Sequence, residues 1–251
     1  MKKILLTGCG GRMGRVVAEL CKTRDDFSVV AGVDPTLPIC DFPVYGKCSE
    51  VKEKADVIID FSFHTAISEI LDFAIQHRIP AVIATTGFNE EELARIREAE
   101  KVIPIFRSAN MSLGVNLICQ LAKKAAKFLP DFDIEIIEKH HNQKVDSPSG
   151  TALMIADEIS SVLPSESEYV FGRRGICGKR TKNEIGIHAV RGGTIVGEHE
   201  VLFAGGNEIV SITHTAQSRE ILANGAVCAA AFVIGKKAGS YSMKDVFSDE
   251  D

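Results

Sequence analysis

Lys3-Ile4-Leu5-Leu6-Thr7, then Gly8-Cys9-Gly10-Gly11-Arg12-Met13-Gly14, then Arg15-Val16-Val17-Ala18-Glu19-Leu20-Cys21-Lys22 open the chain without interruption. The first segment is a short apolar run suited to a buried strand, the second a glycine turn, the third a helix-forming stretch. In that order they are the setting in which a dinucleotide fingerprint has physical meaning. Glycines permit a tight turn and a close backbone approach to a pyrophosphate, and the helix start adds its positive end. A strict Gly-x-Gly-x-x-Gly would place its last glycine at Met13; here it falls at Gly14.

Moving outward, residues 28–33 read as the next strand and end at Asp34, twenty residues after Gly14. There the fingerprint expects a carboxylate for the adenosine ribose hydroxyls, although Asp34-Pro35 is also a way to begin a turn. A 2′-phosphate needs a nearby cation, usually Arg. The residues after Asp34 are Pro-Thr-Leu-Pro, and Asp34 itself would repel that phosphate. NADH is therefore expected to serve at least as well as NADPH, with Lys47 the one compensating cation to place. The alternation continues with strands over 56–61, 80–84 and 102–106 and helices over 64–77 and 89–101. Short apolar strands alternating with helices predict an α/β fold, a Rossmann-like doubly wound parallel sheet. Ligands in such sheets sit at the C-terminal strand ends. The loops 61–64, 84–88 and 108–112 occupy those positions and are candidates to border the nicotinamide half of a cofactor.

Bulk properties narrow the class. The 251 residues are 45% hydrophobic and 25% charged, ordinary for a globular chain with room for two modest domains. A net charge of -5 leaves no electrostatic footprint for nucleic acid or an anionic membrane. No apolar run approaches the roughly 20 residues of a spanning helix. The apolar segment after Lys2-Lys3 is too short for a signal peptide. Seven scattered cysteines (9, 21, 40, 48, 119, 177, 228) without Cys-x-x-Cys argue against a disulfide framework or a thiolate zinc site. A cytoplasmic protein is expected.

The second half changes character. A helix over 112–128 and a strand over 132–137 lead into Glu138-Lys-His-His-Asn-Gln-Lys-Val-Asp-Ser-Pro-Ser-Gly-Thr-Ala152, and a helix over 152–162 leads out. Pro148 suits the entry to that helix and Ser149 its N-cap. Free N–H groups at a helix start bind anions. The stretch thus combines an anion seat, a lysine charge and titratable imidazoles, a set fit to hold a small carboxylate and give it a proton. Residues 164–183 read as an irregular loop whose basic residues are exposed solubilising charge. Strands over 184–190, 194–203 and 207–214, with a turn at Ala204-Gly205-Gly206, indicate a second domain of α+β type. A last helix over 220–237 is expected to pack back on the first domain. His188, His199 and His214 have no metal-ligand spacing and read as structural.

The central motif, together with Gly8 to Gly14, Thr85-Thr-Gly-Phe88, Asn110 to Asn116, Gly197-Glu-His199 and Ser218-Arg219, resembles bacterial-type dihydrodipicolinate reductases over nearly the whole chain. The resemblance implies NAD(P)H-dependent reduction of 4-hydroxy-tetrahydrodipicolinate in the diaminopimelate and lysine pathway. It implies a nucleotide domain of residues 1–111 plus 219–251, a substrate and tetramerisation domain of 112–218, and a homotetramer. His140 matches the acid/base histidine and Lys144 the proton donor. His141, Gly150 and Thr151 match substrate-carboxylate contacts, to which the Ser149 cap is added. Gly8, Cys9, Gly10, Gly11, Arg12, Met13, Asp34, Ala84, Thr85, Thr86, Ser108, Ala109, Asn110, Met111 and Arg219 match cofactor contacts. Ala84 stands where the family often has Gly, and Met111 where it commonly has Phe. Two other readings use the same fold: a semialdehyde dehydrogenase, which would need a nucleophilic cysteine such as Cys119 or Cys177, and a nucleotide-sensing regulator.

Overall fold

The structure, a computed structural model, describes residues 1–247. Residues 248–251, assigned above to the nucleotide domain, lie outside the described residues. The chain forms two compact units, Met1–Ser112 with the segment from Glu220 onward, and Leu113–Arg219.

The first unit begins with β1 (Lys2–Thr7), α1 (Arg12–Lys22), β2 (Phe27–Val33), β3 (Val44–Tyr45) and β4 (Val57–Asp60). It continues through α2 (Ile67–His77), β5 (Ala81–Ile83), α3 (Glu90–Glu100) and β6 (Pro104–Arg107). The second unit holds α4 (Leu113–Phe128), β7 (Asp133–His140), α5 (Gly150–Ser160), β8 (Glu168–Phe171), β9 (Glu184–Arg191), β10 (Gly197–Ala204) and β11 (Ile209–Ala216). The chain then returns to the first unit as α6 (Glu220–Val233), β12 (Gly239–Tyr241) and α7 (Met243–Val246).

The first sheet is wholly parallel, in the order β12-β6-β5-β4-β1-β2-β3. Its strands read as continuous apolar runs because helices cover both faces: Ile4 to Leu6 and Val57 to Ile59 are completely buried. The order reverses between β1 and β4, which makes the loops after these two strands the natural binding crevice. Local chemistry fixes the helix starts. Asn89 caps α3 by accepting from the Glu92 N–H at 2.9 Å while Glu92 accepts from the Asn89 N–H at 2.8 Å. Two strands of this sheet escaped the sequence reading. β3 and β12 have two and three residues, too short to show a period.

Helix α6 lies close against the chain before α4. A Cβ added at Gly225 would overlap the Met111 carbonyl oxygen, a backbone atom that cannot swing away. Gly225→Ala should therefore destabilise by about 3 kcal/mol, the upper range for overpacking a filled core. Urea unfolding would register it as a lower midpoint at unchanged slope.

The second unit is a mixed five-stranded sheet, β11-β10-β7-β9-β8, with β10 antiparallel to both neighbours. Strand alternation decides its faces. Ile134 and Ile136 of β7 pack with Val201 and Phe203 of β10 and with Ile118, Ala122, Ile155 and Ile159 of α4 and α5. Here the segment 164–183 departs from the expected irregular loop of solubilising charge. It contains β8, and Arg173 and Arg180 turn back onto Glu135 of β7. Arg180 also donates to the Asp133 carboxylate and the Ile134 carbonyl. These guanidiniums hold the Glu135 carboxyl at about 2 despite its burial, which alone would raise it. Among the described residues, no helix is long and apolar enough to cross a membrane.

Candidate active site

In the first unit the glycine turn is shaped by backbone contact. Gly8 has φ of 73°, and a Cβ there would stand 2.5 Å from the Phe61 carbonyl oxygen; a Cβ at Gly14 would overlap the Gly8 carbonyl. The last glycine is thus needed at Gly14, one place beyond the strict pattern, because α1 crosses the loop there. The turn closes through Gly8 N–H to Val33 O (2.8 Å) and Gly11 N–H to Gly8 O (3.1 Å). No side chain caps α1, and its first-turn N–H groups are left for an anion.

Asp34 follows β2 and is buried against this turn. It accepts from the Gly10 N–H at 2.9 Å, the Thr36 N–H at 2.9 Å and the Thr36 hydroxyl at 2.6 Å. Burial alone would raise its carboxyl; the Thr36 and Gly10 donors, with the Arg15 charge, hold it below the usual carboxylate range instead. It is an anion at neutral pH. Cys9, behind the turn, is buried, and burial, with the neighbouring Cys40 and Asp34, pushes its thiol up to about 12.

A cleft runs along the strand ends. Arg12, Met13, Phe61, Ser62, Phe63, His64, Ala84, Thr85 and Thr86 line one part, about 360 Å³. Thr85 and Thr86 also line the next part, with Arg107, Ser108 and Ala109. The floor is tied together by Asp60, which accepts from Thr7 Oγ1 at 2.6 Å and the Ser62 N–H at 2.9 Å, and by Thr85 Oγ1 donating to the Ser62 carbonyl at 3.0 Å. The structure therefore brings together most of the residues matched to cofactor contacts. Asn110 accepts from the Ser112 N–H at 2.8 Å and, with the buried Met111, ends this unit. Arg219 belongs to the second unit, where it lines a cleft with His141, Asn142, Gln143, Gly193, Thr194 and Val196. These features fit a dinucleotide: an uncapped helix start suits a pyrophosphate, the glycine turn leaves room for its close approach, and Asp34 offers a carboxylate beyond it.

In the second unit β7 runs to His140, three residues further than the sequence reading placed its end. The alternation that buries Ile134 and Ile136 carries Glu138 and His140 onto the same face. Glu138 is completely buried, and the sequence reading gave it no role. It accepts four hydrogen bonds: His140 Nδ1 (2.6 Å), both terminal nitrogens of Arg191 (2.7 Å each) and the Ser149 N–H (3.0 Å). The signal was the Ile-x-Ile-x-Glu-x-His spacing, read as an apolar strand that stopped too soon.

Ser149 caps α5, accepting from the Ala152 N–H at 3.1 Å. Its hydroxyl also shares a 2.9 Å hydrogen bond with His199 Nε2. The N–H and hydroxyl of Ser149 are thus engaged within the protein, which fixes the helix start beside the neighbouring residues matched to a substrate carboxylate. Beside it Gly150 is open: a Cβ there would meet nothing within 4 Å. His199, read from sequence as structural, packs edge-on against His140 with ring centroids 5.2 Å apart. Burial, with the neighbouring His140, depresses its imidazole to about 4, so it is neutral. Lys144 donates to Asp146 at 2.8 Å on the loop between β7 and α5, and this pairing lowers the Asp146 carboxyl. Of the two cysteines weighed as nucleophiles, Cys119 is sealed in the apolar core and Cys177 is exposed with its thiol on the Arg174 carbonyl. Burial screens Cys119 from a substrate, and the carbonyl oxygen beside the Cys177 thiol is not a base that would activate it.

Comparison with known proteins points to one family. The family model described as dihydrodipicolinate reductase, N-terminus, matches residues 2–111, and that for the C-terminus matches residues 114–247. The 4-hydroxy-tetrahydrodipicolinate reductase of Caldanaerobacter subterraneus subsp. tengcongensis is 59% identical over 98% of both chains. That of Clostridium tetani is 51% identical over 97% of this chain and 96% of its own. Among solved structures, a dipicolinate-bound dihydrodipicolinate reductase from Paenisporosarcina sp. TG-14 superposes with a TM-score of 0.84 at 27% identity, covering 98% of this chain and 100% of its own.

Proposed function

The chain belongs to the dihydrodipicolinate reductase family, and from that membership and the geometry of its two units we infer its reaction. It is an oxidoreductase that reduces 4-hydroxy-tetrahydrodipicolinate to tetrahydrodipicolinate, with loss of water, in diaminopimelate and lysine biosynthesis. The observation that carries the reading is the polar cluster at the end of β7. It puts an imidazole, an ammonium and an open helix start within one short segment, as a ring bearing two carboxylates requires.

NAD(P)H, bound on the first unit along the loops from Gly8 to Met13, at Asp34, and at Ala84 to Thr86 and Ser108 to Met111, supplies the hydride. The protein's own residues do the rest. The start of α5 at Gly150 and Thr151, with His141, receives a substrate carboxylate. Lys144 exchanges its pairing with Asp146 for a substrate group. That exchange costs little, because Asp146 is half exposed and such pairs contribute only about 0–1 kcal/mol. Reduction leaves electron density on the ring that a positioned acid must quench, and Lys144 and His140 are the proton carriers. Arg219 adds a positive charge beside His141. We place the enzyme in the cytoplasm, where its seven cysteines stay unpaired. We assign it a homotetrameric state in which the second sheet joins subunits, covering an edge strand that exposes Ile209 and Val210.

The test is a coupled assay in which dihydrodipicolinate synthase generates the unstable substrate and loss of reduced-cofactor absorbance is followed. Turnover is expected with both cofactors. The anionic Asp34 repels a 2′-phosphate, so kcat/KM for NADH should equal or exceed that for NADPH. A tenfold preference for NADPH, about 1.4 kcal/mol, would overturn the cofactor assignment. Absence of turnover from folded protein that binds NADH would overturn the reaction.

A further inference from the structure

We propose that Glu138 is the positioning residue of this site. It fixes His140 with Nε2 as the nitrogen that exchanges protons, and it holds the start of α5 and the Lys144 loop in register. The proposal deepens the reductase reading and rests on it for the proton's destination, not for the geometry.

A carboxylate sealed from water survives as an anion only if it is paired and its lone pairs are filled. Glu138 meets both conditions: Arg191 grips both oxygens, and His140 and Ser149 take the remaining directions. Burial would otherwise raise its carboxyl; Arg191, His140 and Ser149 hold it low. An ionised carboxylate only accepts hydrogen bonds, so His140 Nδ1 is the donor. The neutral ring then has its lone pair on Nε2. That nitrogen has no partner among the described residues and is not among the sealed atoms. Gly197, opposite on β10, keeps the space beside it: a Cβ there would stand 3.1 Å from Nε2. When the ring is cationic, Nε2–H releases its proton to the ligand, Nδ1–H stays in place, and Glu138 remains a carboxylate throughout. Because Arg191 neutralises Glu138, the carboxylate orients the ring without drawing off its proton.

The same carboxylate sets the other two parts. Its bond from the Ser149 N–H aims the first turn of α5. Arg191, gripping Glu138, also donates to the Asp146 carbonyl at 2.8 Å and so pins the loop that carries Lys144. Loss of Glu138 therefore disturbs ring tautomer, anion seat and loop together, although it lies beneath all three.

The experiment is long-range 1H–15N spectroscopy of the imidazoles at mildly alkaline pH, with His140 assigned by His140→Gln, beside steady-state kinetics. In the wild-type protein His140 should show a protonated Nδ1 and a pyridine-like Nε2. Finding the opposite tautomer would overturn the proposal at once. Glu138→Gln should mix or reverse the tautomers and lower kcat by on the order of 100-fold, the scale for losing an imidazole's orienting partner, with KM for NADH unchanged. Because Glu138→Gln leaves the half-buried Arg191 without its carboxylate partner, Glu138→Gln/Arg191→Met is the companion that removes both charges. Folded double variant with the wild-type tautomer and turnover would also overturn the proposal. The spectra require no substrate, so a failure of the reductase reading would appear only in the kinetics.

Discussion

Replacing Lys144 with alanine lowers kcat by on the order of 10²- to 10⁴-fold, the range for removal of a positioned acid, or about 3–5 kcal/mol of barrier. KM for NADH should hardly move, since the cofactor contacts proposed on the first unit include no part of the Lys144 loop. His140→Ala should act in the same direction. The two substitutions should be far from additive, because residues that work as a unit fail together. Stability provides the control. Among the described residues the ammonium of Lys144 pairs with the half-exposed Asp146, a pair worth about 0–1 kcal/mol, so the variant should melt close to wild type. A Lys144→Ala/His140→Ala double variant with wild-type turnover would remove both residues from the mechanism. A variant that lost activity only in proportion to lost folded protein would reduce Lys144 to a structural role.

How far the sequence anticipates this site depends on the range over which each feature is encoded. The parallel sheet was legible because its strands are buried on both faces and its helices are punctuated by local signals: the glycine turn at Gly8 to Gly14, the cap at Asn89, the carboxylate at Asp34. The helix start at Ser149 was legible for the same reason, since a cap is decided within four residues. Glu138 was not. Its environment is assembled by Arg191, fifty-three positions away, and by Ser149, eleven away, and a glutamate at the end of an apolar run looks like the place where a strand meets water. Arg173 and Arg180 failed for the same reason. A basic, glycine-spaced segment reads as solvated until the partner carboxylate, Glu135, is seen thirty-eight and forty-five positions back. His199 was read as structural because its spacing suits no metal site, which left its neighbours unnamed. Its role depends on the pairing of β10 with β7, which sets it opposite Glu138.

That buried polar layer sets how the fold responds to acid. His199 is held neutral, its imidazole depressed to about 4 against the ordinary 6.5, with His140 and Glu138 on β7, His214 on β11 and Lys144 on the adjoining loop as the charged or titratable groups around it. The sign follows from which state takes the proton. Between pH 6.5 and 4 the unfolded chain binds it and the folded chain does not, so stability is complete above about 6.5 and falls as the pH drops to about 4. At 1.36 kcal/mol per unit the loss is about 3 kcal/mol. Glu135 acts lower down. Its carboxyl, held at about 2 against 4.5 by Arg173, His188 and Arg180 in spite of burial, contributes stability that is complete above 4.5 and is lost as the pH falls to about 2, again about 3 kcal/mol. Together these amount to a large part of the 5–15 kcal/mol of a typical domain. Urea midpoints measured from pH 7 downward should therefore decline in two stages, the first beginning near 6.5. His199→Gln should flatten the first stage and leave the second intact, whereas Glu135→Gln should flatten only the second. A wild-type midpoint that stays level between pH 6.5 and 4.5 would mean that His199 is hydrated or charged in the folded protein. The sealed contact it makes with His140 and Ser149 could then not be the arrangement that orders the site.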